Sequence, residues 1–276
     1  MKNKYLTIYL IITFGLCWGL ASASMIFNDF FTKLFGETSF TNPIVMIALY
    51  SPSIAGLFVY WLMGGFEAIK NLFSKFIPRK KDFIWFPIII GLFLIYVGSI
   101  HYGSIAVGFE VPEMTLTFKQ MVIEVVKNLF EEAGILGGVL GWIGFLMPYL
   151  QKKYNSNIKA GVITGLIFGI YVLPGYVITS FELAAIFPLY VIQLMLFLIF
   201  ISYMFNATNG NLLFYVLLFW LISSGARLEL YYFNAQVQLL QIAFFAISVV
   251  IMHFLTKKRN IEQKLQVLPD YVGIGA

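Results

Sequence analysis

Long apolar runs separated by short polar stretches set the pattern of this chain. Eight runs read as membrane helices, each of which needs about 20 mostly apolar residues. They are Tyr5–Phe27, Pro43–Gly64, Phe83–Tyr102, Phe118–Leu150, Ile158–Ile178, Leu183–Phe205, Leu212–Ala226 and Val237–Leu255. The fourth run predicts one long helix whose membrane part begins near Ala133. The segment Asn206–Asn211 between the sixth and seventh runs is rich in turn formers. Between the second and third runs, Phe66, Ile69, Phe73, Phe76 and Ile77 alternate with Lys70, Lys75 and Arg79. That spacing predicts an amphipathic helix lying at a membrane surface. The stretch Asn28–Asn42, with Phe30, Phe31, Leu34 and Phe35, predicts a second one.

Composition agrees with the pattern. The chain is 60% hydrophobic and only 11% charged, with a mean hydropathy of +0.87. Soluble domains carry about a quarter charged residues, so this chain lacks the polar surface to face water all round. The expected fold is all-α: a multi-pass bundle of about eight transmembrane helices over residues 1–256, with a tail over 257–276. The formal charge of +5 is not a nucleic-acid footprint, because no soluble module carries a basic face. If the N-terminus lies inside, 14 of the 18 basic residues fall on the inner side, near Lys4, Lys70–Lys81, Lys152–Lys159 and Lys257–Lys264. Span parity and this bias together predict cytoplasmic termini in a cell membrane.

Chemistry-bearing residues are few. Cys17 is the one cysteine and lies in the first run, so it has no internal disulfide partner. The two histidines, His101 and His253, fall on opposite sides of the predicted membrane and read as interfacial residues. On the fourth run Glu124, Lys127 and Glu131 share a helical face and can pair. Glu131 and Glu132 enter an apolar stretch, where ionisable residues are functional candidates. Beyond them Gly134/Gly138 and Gly137/Gly141 form small-xxx-small pairs suited to close helix approach. Arg227 and Glu229 follow the seventh run, within reach of Glu131 or Glu182.

Three ordered regions carry a resemblance. Gly138-Val139-Leu140-Gly141-Trp142-Ile143-Gly144-Phe145-Leu146-Met147-Pro148 precedes Thr164–Pro174, and both follow the opening Thr13-Phe14-Gly15-Leu16-Cys17-Trp18. Together they resemble the CPBP family of CAAX proteases and bacteriocin-processing enzymes, also called the Abi family. The resemblance implies an intramembrane metalloprotease frame with Glu-Glu-x-x-x-Arg, Phe-x-x-x-His and His-x-x-x-Asn motifs. In this chain the glutamate positions are Gly138 and Val139 and the arginine position is Ile143. The histidine after the retained Phe168 is Val172, and the third motif falls on Phe219 and Ser223. Water activation needs a base in reach or a metal held by several protein ligands, and these substitutes offer neither.

The leading expectation is therefore a catalytically silent relative with no metal or cofactor. It would bind a hydrophobic or lipidated peptide or another membrane protein within the bilayer, bacteriocin immunity being one form the resemblance implies. The first alternative is an active endopeptidase, zinc-dependent if the family's chemistry holds, using Glu131 and Glu132. These stand seven residues before Gly138 and Val139, two helical turns or about 10 Å along one straight helix, with Leu136 at the arginine offset. A transporter component is the second alternative: Pro148, Pro174 and Pro188 can break helices, but charges at mid-membrane depth are scarce.

Overall fold

The structure is a computed structural model that describes residues 4–37, 42–132, 134–178 and 185–258. All regular elements among the described residues are helical. Helices α1 (Lys4–Ile26), α2 (Asn28–Phe35), α3 (Pro43–Ser74) and α4 (Trp85–Ala106, preceded by a 3₁₀ turn Lys80–Ile84) come first. Then follow α5 (Phe118–Glu131), a π-helical segment Val139–Leu146, α6 (Met147–Tyr154), α7 (Asn157–Tyr171) and α8 (Leu173–Ile178). Helices α9 (Phe187–Ala207), α10 (Leu212–Ser224) and α11 (Ala235–Lys258) complete the bundle.

Among the described residues, five helices are long and apolar enough to cross a membrane: α1, α3, the segment Lys80–Ala106, α9 and α11. Helices α7 and α10 are apolar but shorter. Several expected runs reappear with small end shifts. The second run bends at Gly64 and Gly65, whose backbones leave helical geometry; Gly65 has φ +60. Beyond the bend Ala68 and Leu72 are buried while Phe66, Phe73 and Ile77 are exposed, the two-faced arrangement expected for this segment. Asn42 starts α3 by accepting from Ile44 N–H at 2.9 Å, and Pro43 occupies the first turn, where a missing N–H costs nothing. The turn before α10 places Asn209 and Gly210 in the left-handed region, and Asn211 caps α10 through Leu213 N–H at 3.0 Å.

The fourth run departs from expectation. It is not one helix over Phe118–Leu150. Helix α5 stops at Glu131, Glu132 is extended (φ −81, ψ 116), and the chain re-enters helical geometry as the π-type segment from Val139. Residues Gly134, Gly137 and Gly138 lie in this interruption, and glycine loses the most backbone freedom on entering a helix. Non-helical backbone inside a membrane fold must find side-chain partners for its polar groups, and here it does. Tyr215 Oη donates to Gly134 O at 2.6 Å. Ser53 Oγ donates to Leu136 O at 3.0 Å and accepts from Leu140 N–H at 3.3 Å. Ser53 N–H donates to Gly137 O at 3.1 Å, and Tyr60 Oη donates to Gly144 O at 2.7 Å. The fifth run is likewise split, at Val172 between α7 and α8; Pro174 cannot continue the ladder as donor.

The core is aromatic. Trp142 is fully buried, stacks on Phe168 at 5.0 Å and meets Tyr171 edge-on at 5.2 Å. Each such pair adds about 0.5–1.5 kcal/mol beyond area burial. Gly141 lies against the backbone of Pro52 in α3, and Gly161, Gly165 and Gly169 of α7 lie against Ile199, Met195 and Val191 of α9.

Candidate functional site

Helix α5 starts from a reciprocal cap: Thr117 Oγ1 accepts from Gln120 N–H at 3.4 Å, and Gln120 Oε1 accepts from Thr117 N–H at 2.8 Å. Its apolar stripe, Phe118, Val122, Val126 and Phe130, faces outward, while Asn128 is buried on the opposite side. Asn128 Nδ2 donates to Ser223 Oγ at 2.7 Å and Ser224 Oγ at 3.0 Å. Trp220 Nε1 donates to Val125 O at 2.6 Å. These bonds fasten α5 to the end of α10 and aim the last turn of α5 inward.

Behind that turn is a cavity of about 450 Å³. Glu131, Glu132, Asn128, Phe219, Ser223 and Arg227 form one part of its wall, and Tyr96, Tyr190, Gln193, Phe197, Gln241 and Phe245 form another. Arg227 Nη1 donates to Glu131 Oε2 at 2.7 Å and stands 3.9 Å from Glu124 Oε2. Lys127 Nζ donates to Glu124 Oε1 at 2.8 Å. The pairings anticipated within α5 and from Arg227 to Glu131 are thus present; Glu182, the other expected partner, lies outside the described residues.

Glu132 sits in the backbone break, outside the five long apolar helices. Burial raises its carboxyl above the ordinary glutamate range, against the opposing pull of Gly134 N–H and the Arg227 charge. Gly134 is required there, because a Cβ would collide with the Phe219 ring. Across the cavity, Gln193 Nε2 donates to Gln241 Oε1 at 2.9 Å and Gln241 Nε2 donates to Tyr96 Oη at 2.6 Å. Tyr231 Oη lies 3.3 Å from Tyr96 Oη. Gln193 Oε1 is buried and accepts no hydrogen bond from the described residues.

Next to this cavity is a second, more open hollow of about 680 Å³, with Ala226, Tyr231 and Phe233 in both walls. Glu110, Glu113 and Glu229 line it. Glu229 takes a left-handed backbone (φ 56) and accepts from Thr115 N–H at 2.6 Å, Thr115 Oγ1 at 2.9 Å and Leu116 N–H at 3.2 Å. The Thr115 N–H above all holds this carboxyl below the ordinary glutamate range.

The residues singled out from the sequence divide in two. Glu131, Glu132, Phe219 and Ser223 meet at the cavity. Gly138, Val139 and Ile143 are buried in the backbone break and π-helical segment, and Val172 ends α7 as a partly buried packing residue; none of the four lines the cavity. The straight-helix picture, which set Glu131 and Glu132 two turns further out on one face, does not hold, because the helix breaks at Glu132. The signal for the opposite wall was available as Gln193 and Gln241: amides inside otherwise apolar spans are costly and so informative.

Zinc does not fit what surrounds the carboxylates. His101 Nδ1 is 2.8 Å from Leu230 O and His253 Nδ1 is 2.9 Å from Tyr203 Oη; neither lines the cavity. Among the described residues no group of three or more His, Cys, Asp or Glu side chains is placed to hold a metal ion.

These features define a helical membrane protein with a carboxylate-bearing cavity between its helices. Residues 129–225, about a third of the chain, match the family model described as type II CAAX prenyl endopeptidase Rce1-like. No curated protein matches the chain.

Proposed function

We propose that this protein binds a hydrophobic or lipidated peptide in the cavity between α4, α5, α9, α10 and α11 and does not hydrolyse it. The observation that carries this reading is the lining itself. The wall is chiefly aromatic and aliphatic, Glu131 is engaged by Arg227, and both histidines of the chain are committed elsewhere. A volume of about 450 Å³ falls in the range of about 300–1,000 Å³ that takes a small ligand. It suits a lipid chain or the end of a peptide rather than a whole helix. In a cell membrane, an immunity or capture role would need no more than this.

A second reading, an endopeptidase using Glu131 and Glu132, is favoured by one observation: both carboxylates face the cavity, and Glu132 holds its proton more tightly than usual, as a general acid or base requires. Purified protein in nanodiscs, incubated with a prenylated peptide ending in a CAAX-type sequence, separates the two. The binding reading expects saturable binding with the peptide mass unchanged. Products whose formation stops in Glu132→Gln would establish the second reading instead.

A further inference from the structure

The cavity and the neighbouring hollow have Ala226, Tyr231 and Phe233 in both linings, so they lie side by side. Charge across the two is one-sided. Glu110, Glu113 and Glu229 line the hollow, Glu131 and Glu132 line the cavity, and among the described residues Arg227 is the one cation in either lining. The chain as a whole has the opposite sign, +5, so the acidic lining does not follow from overall composition. Arg227 is paired with Glu131 and its charge reaches Glu132, which leaves Glu110, Glu113 and Glu229 with no cation in the described lining of the hollow.

The cavity wall also offers an acceptor: Gln193 Oε1 is buried and takes no hydrogen bond from the described residues, while Gln193 Nε2 donates one N–H to Gln241 and Gln241 Nε2 donates one to Tyr96. An occupant that brings donors and positive charge meets both the carboxylates and this acceptor. The interior wall is otherwise made of groups such as Leu194, Phe197 and Phe245, which reward apolar contact.

We propose that the ligand is a cationic amphipathic peptide, whose lysine or arginine side chains meet Glu110, Glu113 and Glu229 in the hollow while an apolar residue packs against Leu194, Phe197 and Phe245 in the cavity beside Glu132. This rests on the binding reading above and names the class of peptide. Complementary charge raises the association rate and makes it salt-sensitive.

The test uses the full chain in nanodiscs of zwitterionic phosphatidylcholine, so that the lipid supplies no net charge. The probes are three short helical peptides with one apolar pattern, whose polar positions are all Lys, all Gln or all Glu. The lysine probe is expected to bind at least about tenfold tighter than the glutamine probe at roughly 0.1 M salt, and the glutamate probe more weakly than either. Glu110→Gln/Glu113→Gln, at exposed positions, is expected to slow association of the lysine probe several-fold and leave the glutamine probe unchanged. Glu132→Gln is expected to reduce the preference between the two. Equal affinity for lysine and glutamine probes overturns the charge proposal and leaves the binding reading standing. Absence of binding by all three, or lysine-probe binding no greater than to empty nanodiscs, overturns both.

Discussion

Gly165→Leu is expected to eliminate folded protein, while Gly91→Leu is expected to leave it intact. A Cβ at Gly165 would sit 2.5 Å from Met195 Cα and 2.9 Å from Leu194 O, atoms of the α9 backbone that no side-chain rotation moves. Gly161 meets the Ile199 backbone in the same way one turn away, and Gly169 on the other side lies against the Val191 side chain, so α9 would have to withdraw. Overpacking against side chains costs about 1–3 kcal/mol; forcing two backbones apart over this seam should exceed that, against a total stability of about 5–15 kcal/mol. In a bilayer the penalty is sharper still, since close packing of small residues is a main source of helix association. Gly91 has open space where its Cβ would point, and leucine favours a helix over glycine by about 0.8–1 kcal/mol. The monodisperse fraction and Tm in detergent are the readouts. A Gly165→Leu protein with near-native Tm would show that α7 and α9 do not pack as described.

The second large effect concerns Gly134 and Phe219, which hold the floor of the cavity together. Gly134→Ala directs a methyl into the Phe219 ring and is expected to destabilise by about 1–3 kcal/mol. Phe219→Ala removes a largely buried aromatic and is expected to cost about 3–5 kcal/mol. Because the alanine at 219 makes room for the methyl at 134, the double variant should cost less than the sum by at least about 1 kcal/mol. Chemical or thermal denaturation of the four proteins measures this coupling. Strict additivity would place the two residues apart and remove Phe219 from the neighbourhood of Glu132.

The apolar runs made most of the helices legible, because a window of about 20 residues reports the solvent of a segment whatever its neighbours do. Five of the described helices meet that standard. The α5-to-α6 region was not legible as structure. Its glycines were visible, yet a glycine in a membrane helix serves equally well for close packing or for a break, and local sequence does not decide between them. Here Gly141 packs on Pro52 while Gly134 lies in the break. The choice was made from a distance, by Ser53, Tyr60 and Tyr215 accepting or donating at backbone groups of the interrupted stretch. That is also why half the candidate site was misplaced on a straight helix: reading Glu131 and Glu132 as two turns removed from Gly138 and Val139 assumed a continuous ladder. The Arg227–Glu131 pair, by contrast, was open to inspection, since each charge borders an apolar run and has few possible partners.

The cavity is expected to hold its ligand whole. The most direct measurement is the intact mass of the protein after photo-crosslinking to a prenylated peptide that carries a photoreactive group in its apolar part. The prediction is an adduct equal to protein plus complete peptide, mapped to Phe197, Phe219 or Tyr190. An adduct carrying only a fragment of the peptide, or one mapped solely to lipid-facing residues such as Leu94, would contradict it.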